Sequence, residues 1–364
     1  MLKSRLCIAF FAFAVGCAPA QKPLTDYVNP MLGTATLWDS VDLGFKPTKR
    51  TWGAEVFPGS SLPNAMVQVS PVTKFHSGAG YQYEDSVIYG FTHTNKGHWN
   101  LCHIPLLPVT GTPTPGDYCS PFSHERESAA PGYYQVFLDR YGVDAQLSST
   151  LRCAFHKYTY PAGAAASLLA DLQRSNEHVR AWDIRKEGDN VFAGWQQTGE
   201  KMYFYAVANR PVTGIEPVVE GDREVRIVRF GEGDGALELR IGFSFVSEKN
   251  ARENLEAEML GKSFAEVRSE ATATWNDLLG RIRVEGGTER EKGLFYSSLY
   301  RSFLWPALRS DVNGEFTDVD GKVINPGFRY YTGPSYWDDY RNKLILLGML
   351  APDVAADVIS SDTD

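Results

Sequence analysis

The densest set of reactive side chains lies between His93 and His103, where His93, His98, Cys102 and His103 crowd one short segment. Imidazole and thiolate are zinc ligands, but this spacing matches no standard closed zinc site, and one short segment seldom completes a tetrahedron. Two other uses fit the same residues. One is a polar loop that hydrogen-bonds sugar hydroxyls, with Trp99 stacking on a pyranose face. The other is a structural loop whose histidines are satisfied by backbone groups. Carboxylates are the second resource. Glycoside hydrolysis needs two, one on each side of the scissile bond. Asp338 and Asp339 are adjacent, so on a helix they point about 100° apart and do not flank one bond as a pair. Asp318 and Asp320 sit in a Gly-bounded loop, where turn formation is the default use. The sequence thus offers no convincing acid–base pair. It also has no P-loop, dinucleotide fingerprint, HExxH or GxSxG elbow.

The elements that must position these groups change character along the chain. From about residue 24 to 262 the signals are β. Leu147, Ser149, Leu151, Cys153 and Phe155 alternate with mostly polar neighbours, the period of two of a half-buried strand. Leu237, Leu239, Ile241, Phe243 and Phe245 repeat it. Shorter candidates are Met66 to Ser70, Tyr133 to Leu138, Met202 to Asn209 and Glu224 to Phe230. Gly and Pro clusters such as Pro58-Gly59 and Pro131-Gly132 punctuate them. Many short strands without intervening helices predict a large antiparallel β-sandwich. Near Ser263 the period shifts. Ser263 and Glu266 form a capping box, followed by Phe264, Val267, Ala271, Trp275, Leu278 and Ile282 at helical spacing. Thr288 and Glu291 make a second box ahead of Leu294, Phe295, Leu299 and Phe303. A third helix is expected from Ser335 through Trp337, Tyr340, Leu344 and Leu347 towards Pro352. The expected division is a leader over 1–20, a sandwich over 21–262, a linker helix over 263–285 and the start of a helical domain over 286–364. Two long helices cannot bury their apolar faces alone, and Ser360 to Asp364 shows no helix-ending logic. The expectation is a chain cut short inside its helical part.

Composition narrows the function classes. Of the 364 residues, 43% are hydrophobic and 22% charged, ordinary values for a folded chain. The net charge of −8, without a basic cluster, argues against a nucleic-acid partner. Aromatic residues make up 13%, which suits sandwich cores and sugar-stacking faces alike. Lys3 and Arg5, the apolar run Leu6 to Val15 and Ala18-Pro19-Ala20 read as a cleaved export signal. Val15-Gly16-Cys17 resembles the end of a lipoprotein box, which would anchor the chain to membrane at Cys17; Ala14 fits that box poorly. Both readings take the mature chain out of the cytoplasm. Cys102, Cys119 and Cys153 remain, and an export compartment permits one disulfide without indicating the pair.

Several segments together resemble glycoside hydrolase family 92. They include Tyr27 to Thr34, Phe57-Pro58-Gly59-Ser60, Met66 to Pro71, Tyr89 to Thr94 and Phe122-Ser123-His124-Glu125. Further along come Pro131-Gly132-Tyr133-Tyr134, Ser244 to Ser247, Ala251 to Leu255, Val284 to Thr288 and Tyr336-Trp337-Asp338-Asp339-Tyr340-Arg341. Their order matches over nearly the whole mature chain. The resemblance implies an exo-acting α-mannosidase of the periplasm or bacterial surface that trims mannose-containing glycans, N-glycans or yeast mannan. It also implies dependence on Ca2+, inversion of configuration, and an active site between the N-terminal sandwich and an (α/α)6 barrel. Calcium in that family contacts hydroxyls of the terminal mannose. Trp337, Asp338 and Arg341 match the family's Trp-Asp-x-x-Arg segment, which looks onto that mannose. Asp338 would accept from sugar hydroxyls and Arg341 would hold it in place; an ion pair pinning a helix start is the competing use. His93 and Trp99 are candidates from the sandwich side, and Gly33 and Thr34 as backbone lining. The family's acid, base and most calcium ligands would follow Asp364, so no catalytic residue is carried over. Leu37 to Glu55 resembles an insertion where the family has a short Gly- and His-rich run. Two further readings stay open: a non-catalytic carbohydrate-binding sandwich module, and a remnant without function.

Overall fold

The computed structural model describes residues 22–37, 44–46, 56–96, 99–233, 235–332, 336–339 and 341–363. The expected leader with Cys17, most of Leu37 to Glu55, His98 and Tyr340 lie outside these residues, as do the side chains of Trp99 and Asp338. Two large antiparallel sheets dominate. One has eight strands in the order Ala181–Lys186, Val191–Gln197, Lys201–Ala208, Leu237–Ser244, Cys153–Thr159, Val143–Ser149, Tyr133–Leu138 and Glu127–Ala130. The other has seven, in the order Ser60–Ser61, Gln68–Val72, Gly90–Thr92, Leu106–Val109, Ser167–Ala170, Arg223–Phe230 and Val212–Glu220. Phe91, Leu107 and Leu168 of one sheet share a core with Leu147, Phe204 and Ile241 of the other. Alternation explains the layering: Leu237, Leu239 and Ile241 are buried while Glu238 and Arg240 between them are half-exposed. The fold is the expected β-sandwich followed by helices.

The alternation from Leu147 to Phe155 is not one strand. It folds back as a hairpin between Val143–Ser149 and Cys153–Thr159. The turn is held from outside. Glu258 accepts from the Thr150 hydroxyl at 2.6 Å and the Arg152 backbone N–H at 2.9 Å, and pairs with the Arg152 guanidinium at 2.7 Å.

Glu258 belongs to a helix inside the span expected to be all β. This helix, α1, covers Glu248–Glu258, with Ser247 as its N-cap. It lies directly on Leu237–Ser244, because a Cβ on Gly242 would sit 2.1 Å from the Ala251 carbonyl oxygen; glycine permits that approach.

Helices α2 (Phe264–Leu279) and α3 (Glu289–Ser302) begin at the two expected capping boxes, each with both reciprocal hydrogen bonds formed. Trp275 of α2 is fully buried and donates from Nε1 to the Ser61 carbonyl at 2.8 Å, which ties the helix to the sandwich. Its ring packs against Tyr300 of α3 at 4.4 Å between centroids.

The expected third helix is broken into two, and a further helix follows it. These are α4 (Tyr336–Asp339), α5 (Lys343–Leu350) and α6 (Pro352–Thr363). Asn342 has φ +86°, a left-handed conformation that interrupts any continuous helix. The segment without helix-ending residues, from Ser360, is helical, and α6 continues through it to Thr363. Pro352 opens α6, where its missing N–H costs nothing. Asp357 of α6 pairs with Arg329 at 2.7 Å. Among the described residues no helix is long and apolar enough to cross a membrane.

Candidate functional site

Trp337 stands on α4 and is 86% exposed. A side chain of that size left in water on a four-residue helix adds nothing to the core and offers an apolar face to a ligand. Two residues on, Asp339 turns inward and is 4% exposed. Its Oδ1 takes Lys343 Nζ at 3.0 Å, and its Oδ2 has no hydrogen-bond partner among the described residues. Arg341 is exposed. Helix α4 ends at Asp339 and Arg341 lies in the turn beyond it, so Trp337 and Arg341 do not share one helical face in the way a four-residue spacing suggests.

Gly33 and Thr34 occupy a turn after the N-terminal 3₁₀ segment Leu24–Tyr27. Gly33 has φ +90°. Thr34 is buried; its backbone N–H and hydroxyl both bond to the Met31 carbonyl, at 3.1 and 2.8 Å. Arg301 of α3 secures the turn by donating to the Pro30 and Leu32 carbonyls at 2.7 and 2.6 Å.

The histidine segment is a core feature where it is described. His93 is 0% exposed, so it offers no surface to a sugar from solvent, contrary to its expected place in a glycan-contacting loop. Its Nε2 lies 3.1 Å from His156 Nε2, and His156 Nδ1 meets the Tyr158 hydroxyl at 2.5 Å. Burial pushes His93 down to about 3, so it is neutral at any ordinary pH. His103 is buried against Thr94, Thr198 and Glu177. Cys102 is buried with its thiol pushed upward by desolvation, and Cys102, Cys119 and Cys153 are all free thiols.

The joint between sandwich and helices holds polar groups that no sequence pattern announces. Arg309 follows α3 and is 3% exposed. Its guanidinium lies 4.2 Å from the Phe245 ring centre and 3.9 Å from Glu200, while Nε and Nη1 have no partner among the described residues. Burial lowers its pKa. Trp305 is also buried, with Nε1 unpaired among the described residues. Asp311 is pushed up to about 6 by burial, against hydrogen bonds that favour its charge. Its oxygens accept from Ser244, Asn250 and Asn254, so its capacity is spent on holding the joint. Asp171 is likewise raised by burial and accepts from the Tyr118 hydroxyl at 2.6 Å.

The described residues form no grouping of three or more His, Cys, Asp or Glu side chains able to hold a metal ion. Calcium takes six to eight oxygen ligands, so these residues do not fit a complete calcium site. Their unpartnered buried carboxylate oxygens, Asp339 Oδ2 and Asp171 Oδ1, belong to no such grouping.

Comparison with known proteins places this geometry. Residues 27–254 match the glycosyl hydrolase family 92 N-terminal domain, and residues 250–364 match the catalytic domain of that family. A curated relative, described as an uncharacterized secreted glycosidase of Arthroderma benhamiae, is 24% identical over 344 residues, covering 79% of this chain and 42% of that protein. Among solved structures, a family 92 α-mannosidase from Bacteroides thetaiotaomicron superposes with a TM-score of 0.83 at 26% identity, covering 94% of this chain and 49% of that one. The same enzyme is also known in complex with mannoimidazole. A family 92 inverting mannosidase from Bacteroides thetaiotaomicron gives a TM-score of 0.80 at 26% identity, over 93% of this chain and 48% of that one. The chain thus spans about half the length of the relatives it matches.

Proposed function

The chain belongs to glycosyl hydrolase family 92, and from that premise we propose that it forms the sandwich and terminal-sugar edge of an exo-acting α-mannosidase. The observation that carries this reading is the unbroken match of residues 27–364 to the two family domains, together with the likeness to a mannosidase solved with mannoimidazole. Its substrates are terminal α-mannosyl residues of N-glycans or mannans. Trp337 supplies an apolar face for the sugar ring. Asp338 and Arg341 supply polar contacts to its hydroxyls. Trp99 and the backbone at Gly33 and Thr34 line the approach.

An inverting hydrolysis needs a general acid and a base separated by about 6.5–9.5 Å to admit water. The acidic groups that burial raises, Asp311 and Asp171, are committed to structural hydrogen bonds. We assign the described residues to holding the terminal sugar rather than to proton transfer. Export follows from the leader, with maturation before Gln21 or at a lipidated Cys17. The relative described as secreted supports export.

The test is release of mannose from an α-linked mannobiose, with and without a calcium chelator. The 364-residue chain releases none. The same chain joined to the remaining half of the family 92 α-mannosidase it superposes on releases mannose until chelator is added. Turnover by the 364-residue chain alone, or none by the joined protein, contradicts the proposal.

A further inference from the structure

A cleft of about 750 Å³ opens at one end of the sandwich, well within the size range of ligand sites. The loop from Ser167–Ala170 to Ala181–Lys186 crosses there from one sheet to the other, and the turn at Asp222 closes the opposite side. Arg174, Arg180, Arg223, His178 and Trp182 line it. The loop is braced before any ligand arrives. Gln196 donates to the Leu172 and Arg174 carbonyls at 3.0 and 2.9 Å, Ser175 to the Leu101 carbonyl at 2.6 Å, and Asn176 to the Asn100 carbonyl at 2.5 Å.

The arginines are held in different ways. Arg174 lies over the rings of Phe75 and Tyr89, at 4.1 and 5.0 Å from their centroids. Arg223 touches Asp171 at 3.3 Å. The Arg180 guanidinium has no hydrogen-bond or ion-pair partner among the described residues. Two acids also line the cleft. Glu177 is turned to the Thr198 hydroxyl at 2.6 Å and to His103 at 3.3 Å, and Asp222 stands exposed at the rim. Arg226 sits 5.3 Å from the Trp182 ring centre, which helps fix that ring in the wall.

We propose that this cleft, lined by none of the residues assigned to the terminal-mannose edge, is a second glycan-binding site, which takes a sugar bearing one acidic group. The carboxylate or phosphate ester lies on Arg180 and Arg223, and the sugar ring lies along Trp182. Guanidinium groups suit such anions because their forked donors match paired oxygens. The ligand is a short glycan with a single acidic substituent, because a chain of net charge −8 repels a polyanion at long range. The proposal does not depend on turnover or on which linkage is cleaved.

Calorimetric titration of the full chain tests it, using a glucuronate-containing disaccharide, a hexose 6-phosphate, neutral mannotriose and inorganic phosphate. Saturable binding of at least one acidic sugar is expected, weakening with salt and surviving excess mannotriose. Arg180→Ala and Trp182→Ala each weaken it at least about tenfold, with unchanged thermal unfolding for the exposed Arg180. The response to the two acidic sugars distinguishes carboxylate from phosphate. Inorganic phosphate binding as tightly as the sugars would mean an adventitious anion only and would overturn the proposal. So would equal binding of mannotriose at this cleft, or an Arg180→Ala chain that binds like the parent.

Discussion

Replacing Asp311 with alanine strands three buried donors. The Ser244 hydroxyl, Asn250 Nδ2 and Asn254 Nδ2 lie 2.7, 2.9 and 2.6 Å from its oxygens. Each unpaired buried donor costs about 1–3 kcal/mol. Part of that is offset, because the native carboxylate is itself disfavoured by burial, its pKa rising from 3.8 to about 6. At neutral pH that shift corresponds to roughly 3 kcal/mol. The net loss expected for Asp311→Ala is about 3 kcal/mol, within a range of about 0–6 kcal/mol. Urea unfolding followed by tryptophan fluorescence measures it. Asp311→Asn gives the sharper test, since it keeps the shape and abolishes the titration. Below the unfolded-state value the carboxyl is protonated in both states. As pH rises from about 4 to 6, the unfolded chain loses its proton first, so Asp311's contribution to stability falls. The stability advantage of the parent over Asp311→Asn therefore shrinks as pH rises from 4 to 7. Other titrations cancel in that difference. A difference that stays constant or grows with pH contradicts a carboxyl raised by burial in the folded state.

The remaining predictions concern the same joint and the helix starts. Gly242→Ala drives a methyl group to 2.1 Å from the Ala251 carbonyl oxygen, so α1 must shift from the sheet; a loss of about 3 kcal/mol or more in chemical unfolding is expected. Glu258→Ala leaves Arg152 largely buried without its partner at the turn Thr150 to Arg152, and about 3–5 kcal/mol should be lost. Ser263→Ala removes one half of the α2 capping box and should cost about 1 kcal/mol in the same assay.

Features written in local residue patterns were legible from sequence. The capping boxes at Ser263 and Thr288 need only residues three apart, and both helices start where those pairs predict. Strands such as Tyr133–Leu138 follow from alternation on a half-buried sheet. Features set by distant partners were not legible. The turn at Thr150 to Arg152 leaves the alternation intact, and what holds it is Glu258 on a helix far along the chain. The break before α5 depends on Asn342 adopting a left-handed conformation, which a hydrophobic period does not reveal. His93 looked like a ligand-facing residue because its neighbours are polar; its burial comes from His156 on the facing sheet. Arg309 and Trp305 carried no motif, and only the packing of sandwich against helices makes them buried polar groups. The segment Trp337 to Arg341 was found by family resemblance, and the exposure of Trp337 is the physical property that agrees with a ligand-facing role.

On the proposed function, this chain holds a terminal mannose through the edge around Trp337. Calorimetric titration with mannoimidazole measures that directly. Saturable binding is expected, absent for the glucose-configured analogue and abolished by Trp337→Ala, whose exposed side chain can be removed without loss of folding stability. No binding, equal binding of both sugar configurations, or binding untouched by Trp337→Ala would contradict it.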